Sequence, residues 1–320
     1  MIRFLKLYER FGIFLYIFIG GVILALVSPN FLKMNTLLNI VAQGTYAATI
    51  GFGMTFAITS GGFDLSVESV MSVVSVFIAL LIPRVGIVFA IFFAVAIGSC
   101  IGVITGTIIA KLKVTPLITT LAIMTIFKGV ALLIAGGRQI VIGRKVFMEL
   151  GTGKILGIPT PIYIMMFFFI VLYFVLYHTG FGRHVAAVGS NERAAKISGI
   201  NVDGVKIGVY ALVAFTSGIA ATIRTSQTLI GMPTMSPGFV LVVLTVTILG
   251  GTSLSGGKGN LWGTLFAGIF IAMVYYGLNL VGVQVYYQML AVGAILIFAL
   301  FVDGIRRRYL EAAKAKGIKV

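Results

Sequence analysis

The sequence predicts an all-α polytopic membrane protein of about ten transmembrane helices, some broken or re-entrant, with both termini in the cytosol. Three observations carry this. Hydrophobic residues make up 59% of the 320 and charged residues only 10%, with a mean hydropathy of +1.13, where a soluble chain carries about 25% charge. The apolar residues recur in blocks of about twenty, the length that spans a hydrocarbon core. Those blocks are continuous rather than alternating, which reads as helices and not as barrel strands.

Taken in order, the first helix follows Arg3, Lys6 and Arg10 and runs from Phe11 to Ser28. It is too long for a signal sequence and no small-x-small cleavage site follows, so it reads as uncleaved. Further spans fall near 37–59, 66–82, 85–110, 116–135, 160–178, 206–223, 237–250, 261–280 and 285–303. Gly-rich stretches interrupt the second, third and eighth. On the fourth, Gly98, Gly102 and Gly106 share one face and mark a close helix contact. Cys100, the only cysteine, lies in the same span and reads as a small buried hydrophobe. The chain is one transmembrane domain, 1–320, with a polar cytosolic segment at 183–205.

The net charge is +16. Lysines and arginines sit beside the apolar blocks rather than on one basic face, which points to orientation and lipid head groups and away from nucleic acid. With the N-terminus inside, the cytosolic side carries Arg3, Lys6, Arg10, Lys111, Lys113, Arg183, Arg193, Lys196, Lys206, Lys258, Arg306, Arg307, Arg308, Lys314, Lys316 and Lys319. The opposite side carries Lys33, Arg84, Arg138, Arg144, Lys145, Lys154 and Arg224. The outer segment Gly136 to Pro159 is too short for a domain, and no inner loop is large enough for an ATPase.

Two glycine pairs, Gly61-Gly62 and Gly250-Gly251, each follow an apolar span and read as helix breaks of one kind. After the first pair come Asp64, Ser66 and Glu68. Asp64 or Ser66 reads as a cap for the next helix, and the four-residue spacing places both carboxylates on one side of it. Acidic groups at such depth face a cavity or a partner. Asp64, Ser66 and Glu68 are therefore candidates for a pathway or gate, together with Gln43 and with Lys128, which either snorkels or pairs with a carboxylate. Asn39, Thr45, Thr119, Thr120 and Gln227 line a polar path or join helices. Between the sixth and seventh spans, Asn191, Glu192, Arg193, Ala194, Ala195, Lys196, Ile197, Ser198 and Gly199 form a short polar helix. Ser190 or Asn191 caps it and Gly199 stops it; a helix this short wants a docking surface. His178 and His184 lack ligand-like company, and no metal cluster or catalytic set emerges.

Leu254-Ser-Gly-Gly-Lys258 looks like the signature loop of ATP-binding cassette ATPases, but no phosphate-binding G-x-x-x-x-G-K-[ST] motif accompanies it. It reads as a tight turn, and the chain binds no ATP or other cofactor by itself. Gly61-Gly-Phe-Asp-Leu-Ser66, Phe181-Gly-Arg-His184, Ala187 to Val202 and Ile248 to Gly259 together resemble the permease subunits of ribose-type sugar ABC importers, and the likeness runs from Leu37 to Arg308. Lys128-Gly129 stands where Arg-Gly is common in the family. The resemblance implies a permease dimer (with itself or a paralogue), a cytosolic ABC ATPase holding ATP and Mg, and an extracytoplasmic substrate-binding protein. It implies a multi-pass protein of the inner membrane of a prokaryote. Asn191 to Gly199 would then be the coupling helix, and a monosaccharide or related polar solute the cargo. Glu68 departs from the small residue expected after Asp-Leu-Ser-Val, and a Glu68–Lys128 pair would accommodate it. An ion-coupled transporter or channel, with Asp64 and Glu68 holding the ion, is the alternative that the residues alone leave open.

Overall fold

The structure is a computed structural model that describes residues 2–315, with side chains described for 12–302, 304 and 305. Its helices are α1 (Ile2–Val27), α2 (Met34–Thr59), α3 (Val67–Lys111), α4 (Pro116–Ala135), α5 (Glu149–Thr152), α6 (Thr160–His178), α7 (Gly180–Ser190), α8 (Glu192–Ile197), α9 (Val202–Thr228), α10 (Phe239–Leu249), α11 (Leu261–Leu280) and α12 (Val285–Ala315). Four short strands, β1 (Ile140–Val141), β2 (Lys154–Ile155), β3 (Ile158–Pro159) and β4 (Ile230–Gly231), lie in the connections. Lys316 and Lys319 of the basic C-terminal cluster fall outside the described residues, and Arg3, Lys6, Arg10, Arg306, Arg307, Arg308 and Lys314 outside the described side chains.

By length and composition, α3, α4, α6, α9, α11 and the Val285–Val302 part of α12 are able to cross a membrane. This is an all-α polytopic membrane protein. The apolar part of α1, Gly12–Val27, and the whole of α10 are shorter. The 26 residues of α2 are diluted by Asn35, Asn39, Gln43 and many glycines and threonines.

α3 is 45 residues long and doubles back on itself. Pro83 removes an amide from its ladder, and Gly86 adopts φ 80°, ψ 172°, where the helix bends sharply. The second half returns so close to the first that a Cβ on Gly98 would press into Val70 and Val74. Gly102 and Gly106 abut the α9 backbone at Tyr210–Ala211 and Ile207 in the same way. Cys100, expected to be buried, is exposed, because it stands on the other face of the helix from these glycines.

α2 is the axis of the molecule. From Gly44 to Thr59 every residue except Tyr46 is buried. Glycines on several sides make this possible: Gly44 and Gly51 admit α11, and Gly53 admits α9 at Val213 and Thr216. Hydroxyls then join helices across the core, Thr55 with Thr264 at 2.9 Å and Thr225 donating to Ser75 at 2.8 Å. The connection from Gly136 to Pro159 is ordered: β1 pairs with β4, β2 forms a hairpin with β3, and Gly151 rests against Ser226 and Gln227 of α9.

Candidate functional site: a polar cavity and a glycine junction

A cavity of about 820 Å³ lies among α2, α9, α10, α11, α12 and the Gly151–Pro159 segment. α2 contributes Asn39, Gln43 and Tyr46, α9 contributes Arg224 and Gln227, and α11 contributes Tyr275 and Asn279. The Tyr46 hydroxyl donates to Gln227 Oε1 at 2.6 Å, and Gln227 Nε2 donates to the Gly151 carbonyl at 3.0 Å. Arg224 stacks its guanidinium 5.5 Å from the centre of the Tyr46 ring. Lys154 and Arg224 are the cations on the wall, and among the described residues no aspartate or glutamate lines it. Neutral amides and tyrosines both donate and accept hydrogen bonds, which suits a solute rich in hydroxyls. An ammonium group would find no carboxylate partner.

At the other end of α9, three turns distant in sequence meet. α2 ends on Gly61 at φ 86°, with Gly61 N–H donating to Ile58 O and Gly62 N–H to Ala57 O; α10 ends on Gly251 with the same pattern to Ile248 and Thr247. This is the glycine-terminated helix cap with two backward bonds. Beyond it, Gly257 N–H donates to Thr59 O at 2.8 Å. Gly189 of α7 is wedged between them, so that a methyl there would overlap Thr59 O and reach Gly257 N. α7 leads directly into α8, where Asn191 Oδ1 accepts from Ala194 N–H at 3.0 Å and Gly199, at φ 82°, closes the helix. Of the residues from Asn191 to Gly199 only Ala195 is buried, and Ile197 is 87% exposed. Glu192 pairs with Lys206 at 2.8 Å.

Asp64 lies wholly buried just after this junction. Its Oδ1 accepts from Ser66 N–H at 2.8 Å and Ser66 Oγ at 2.6 Å. Its Oδ2 and the Tyr210 hydroxyl are both buried without a hydrogen-bond partner. Tyr210 presents that hydroxyl over Gly62, within electrostatic reach of Asp64. Burial pushes the Asp64 carboxyl up from 3.8 to about 6, against the opposing pull of the two Ser66 bonds.

Residues 36–300 match the family model described as the permease component of the branched-chain amino acid transport system. The chain belongs to this permease family. The permease is 37% identical to the ribose import permease protein RbsC of Escherichia coli K12 over 286 residues, 88% of this chain and 89% of that protein. It is 39% identical to RbsC of Bacillus subtilis 168 over 305 residues, 94% and 95% of the two chains. Against the L-arabinose ABC transporter permease protein AraH of Azospirillum brasilense the identity is 33% over 310 residues, 97% and 91%. No solved structure matches.

Among the pathway candidates of the permease, Gln43 lines the cavity, as do Asn39 and Gln227, whereas Asp64, Ser66, Glu68 and Lys128 do not. Thr45, Thr119 and Thr120 instead bond backward to carbonyls of their own helices. The suggested Glu68–Lys128 pair is absent: Lys128 is exposed on α4, and Glu68 Oε1 accepts from Val240 N–H at 2.9 Å. Nor do Asp64 and Glu68 share a helix face, because α3 begins only at Val67; Asp64 turns to Tyr210 and Glu68 to α10. Asp64 does not cap by the usual route either, since it bonds within its own turn and Ser66 makes no side-chain cap. Sequence reasoning missed Tyr46, Tyr210 and Tyr275. Arg224 was visible as a cation at a span end, but nothing in its spacing announced Tyr46.

Proposed function

We propose that this permease is the membrane-spanning subunit of an ATP-driven ABC importer that moves a monosaccharide or related small polar solute. The observation that carries the choice of solute is the cavity wall, where amides and tyrosines stand beside the cations Lys154 and Arg224 and, among the described residues, no carboxylate does. It favours a polyol over the zwitterionic amino acids of the family's description, and the ribose and arabinose permeases among the relatives agree with it. Ten crossings follow if α3 counts twice and α1, α2, α4, α6, α9, α10, α11 and α12 once each. The distribution of basic residues supports a reading with both termini, α7 and α8 in the cytosol and the cavity towards the outside of a prokaryotic inner membrane.

In this reading the chain holds no ATP and no metal. ATP and Mg belong to a cytosolic ABC ATPase, a second permease subunit completes the pathway, and an extracytoplasmic binding protein delivers the solute. Asn191 to Gly199 dock on the ATPase through exposed Arg193, Lys196 and Ile197. Closure of the ATPase then displaces α7 and α8, and Gly189 passes the displacement to Thr59 and the turn before α3. The experiment is reconstitution of the permease with its ATPase and binding protein in liposomes. ATP-dependent uptake of ribose or arabinose is the expected result; uptake that follows an ion gradient and ignores ATP would refute the proposal.

A further inference from the structure

The chain between α9 and α10 is not helical, yet it runs along α3, whose side chains accept from amides in it and just beyond it. Glu68, Ser72 and Ser75 stand at i, i+4 and i+7 on α3, one stripe of that helix. Ser75 Oγ accepts from Met232 N–H at 3.0 Å, Ser72 Oγ from Met235 N–H at 2.9 Å, and Glu68 Oε1 from Val240 N–H at 2.9 Å. The rungs are themselves held: Ser72 donates to Glu68 O at 2.9 Å, and Ser75 accepts from Thr225 Oγ1 at 2.8 Å. Irregular backbone at membrane depth persists only where protein buries it or a polar cavity receives it. Here Ser236, Pro237 and Gly238 line the cavity, Pro237 and Gly238 exposed to it. Ser236 is at φ 48° and Gly238 at φ 81°. A non-glycine residue held left-handed is strained and persists where its surroundings over-determine it.

We propose that Ser236–Gly238 is a solute-contacting wall of the transport cavity, held in register through the segment from Met232 by the Glu68, Ser72 and Ser75 ladder, and that it takes a neutral polyhydroxylated solute. Glu68 is a positioning residue: it touches no solute and acts by fixing the first turn of α10 at Val240, two residues past the wall. The inference rests on the sugar-importer reading. It also gives the carboxylate of Glu68 a use that a small residue at this position would not supply.

The test uses the complete transporter, with permease, ATPase and binding protein, in liposomes at saturating ribose. Glu68→Ala removes the acceptor, and ribose moved per ATP hydrolysed should fall about tenfold, the effect of one buried amide left unpaired. Glu68→Gln keeps an acceptor oxygen and should stay within about twofold of wild type. Equal damage from both variants, or none from Glu68→Ala, overturns the ladder. Should Glu68→Ala fail to assemble, Ser236→Cys in a Cys100→Ser background decides. Saturating ribose with binding protein should slow labelling of the introduced thiol by a water-soluble thiosulfonate several-fold, and equal labelling overturns the wall. Wild-type transporter that hydrolyses ATP yet moves neither ribose nor arabinose removes the sugar reading and the inference with it. Intact wild-type uptake beside unaltered Glu68→Ala coupling removes the inference alone.

Discussion

Asp64 carries the clearest pH signature in the permease. Its carboxyl is held at about 6 in the fold against 3.8 in the unfolded chain, because burial penalises the charged form. The folded state therefore binds the extra proton between those values, and stability falls as pH rises through them. The span corresponds to a penalty of about 3 kcal/mol above pH 6. Asp64→Asn keeps an oxygen for Ser66 and places an amide where Oδ2 lacks a partner. Its apparent melting temperature in detergent should match wild type near pH 4 and exceed it at pH 8, and a deficit at pH 8 would contradict this assignment. At this scale the sequence was only half legible. It marked Asp64 and Glu68 as unusual, but the spacing that put them on one face assumed a helix that had not yet begun. Their partners, Tyr210 and the Val240 amide, lie far along the chain, and local periodicity is blind to both.

Elements were read more successfully, since apolar length is a local property. The bend at Pro83 and Gly86 was visible as a boundary between 66–82 and 85–110, and Gly98, Gly102 and Gly106 as a packing face. Less visible was that this face meets α3's own first half as well as α9. The eighth span, expected over 237–250, is an 11-residue helix that starts at Phe239, because Ser236 and Gly238 are left-handed and turn the chain just before it. Two substitutions test the contacts. Gly102→Leu drives a side chain into the α9 backbone at Tyr210 and Ala211 and should cost more than about 2 kcal/mol, seen as a loss of monodisperse protein on size exclusion. Gly189→Ala overlaps Thr59 O and should cripple assembly or transport, although a methyl group changes neither charge nor propensity adversely. A fully active Gly189→Ala transporter would show that the junction is looser than its geometry.

For the whole molecule, α9 sets the scale. Its 27 residues span about 40 Å, with α8 at one end and Arg224 and Gln227 at the other. Arg193→Glu combined with Ile197→Ser alters only exposed positions, so melting should shift by no more than a degree or two. The same pair should abolish co-purification of the ATPase; retained ATPase in the eluate would move the docking surface elsewhere. Fold class and the polar island were legible because both depend on composition within twenty residues. The cavity was not, because its wall is assembled from several helices and a connection far apart in sequence, and only Asn39, Gln43, Gln227 and the span-end Arg224 stood out by type. At Gly189 main chain rests on main chain, with no rotamer between to absorb a small displacement. If α7 and α8 carry the stroke of the ATPase, as proposed, the joint acts as a rigid pushrod whose length backbone alone sets.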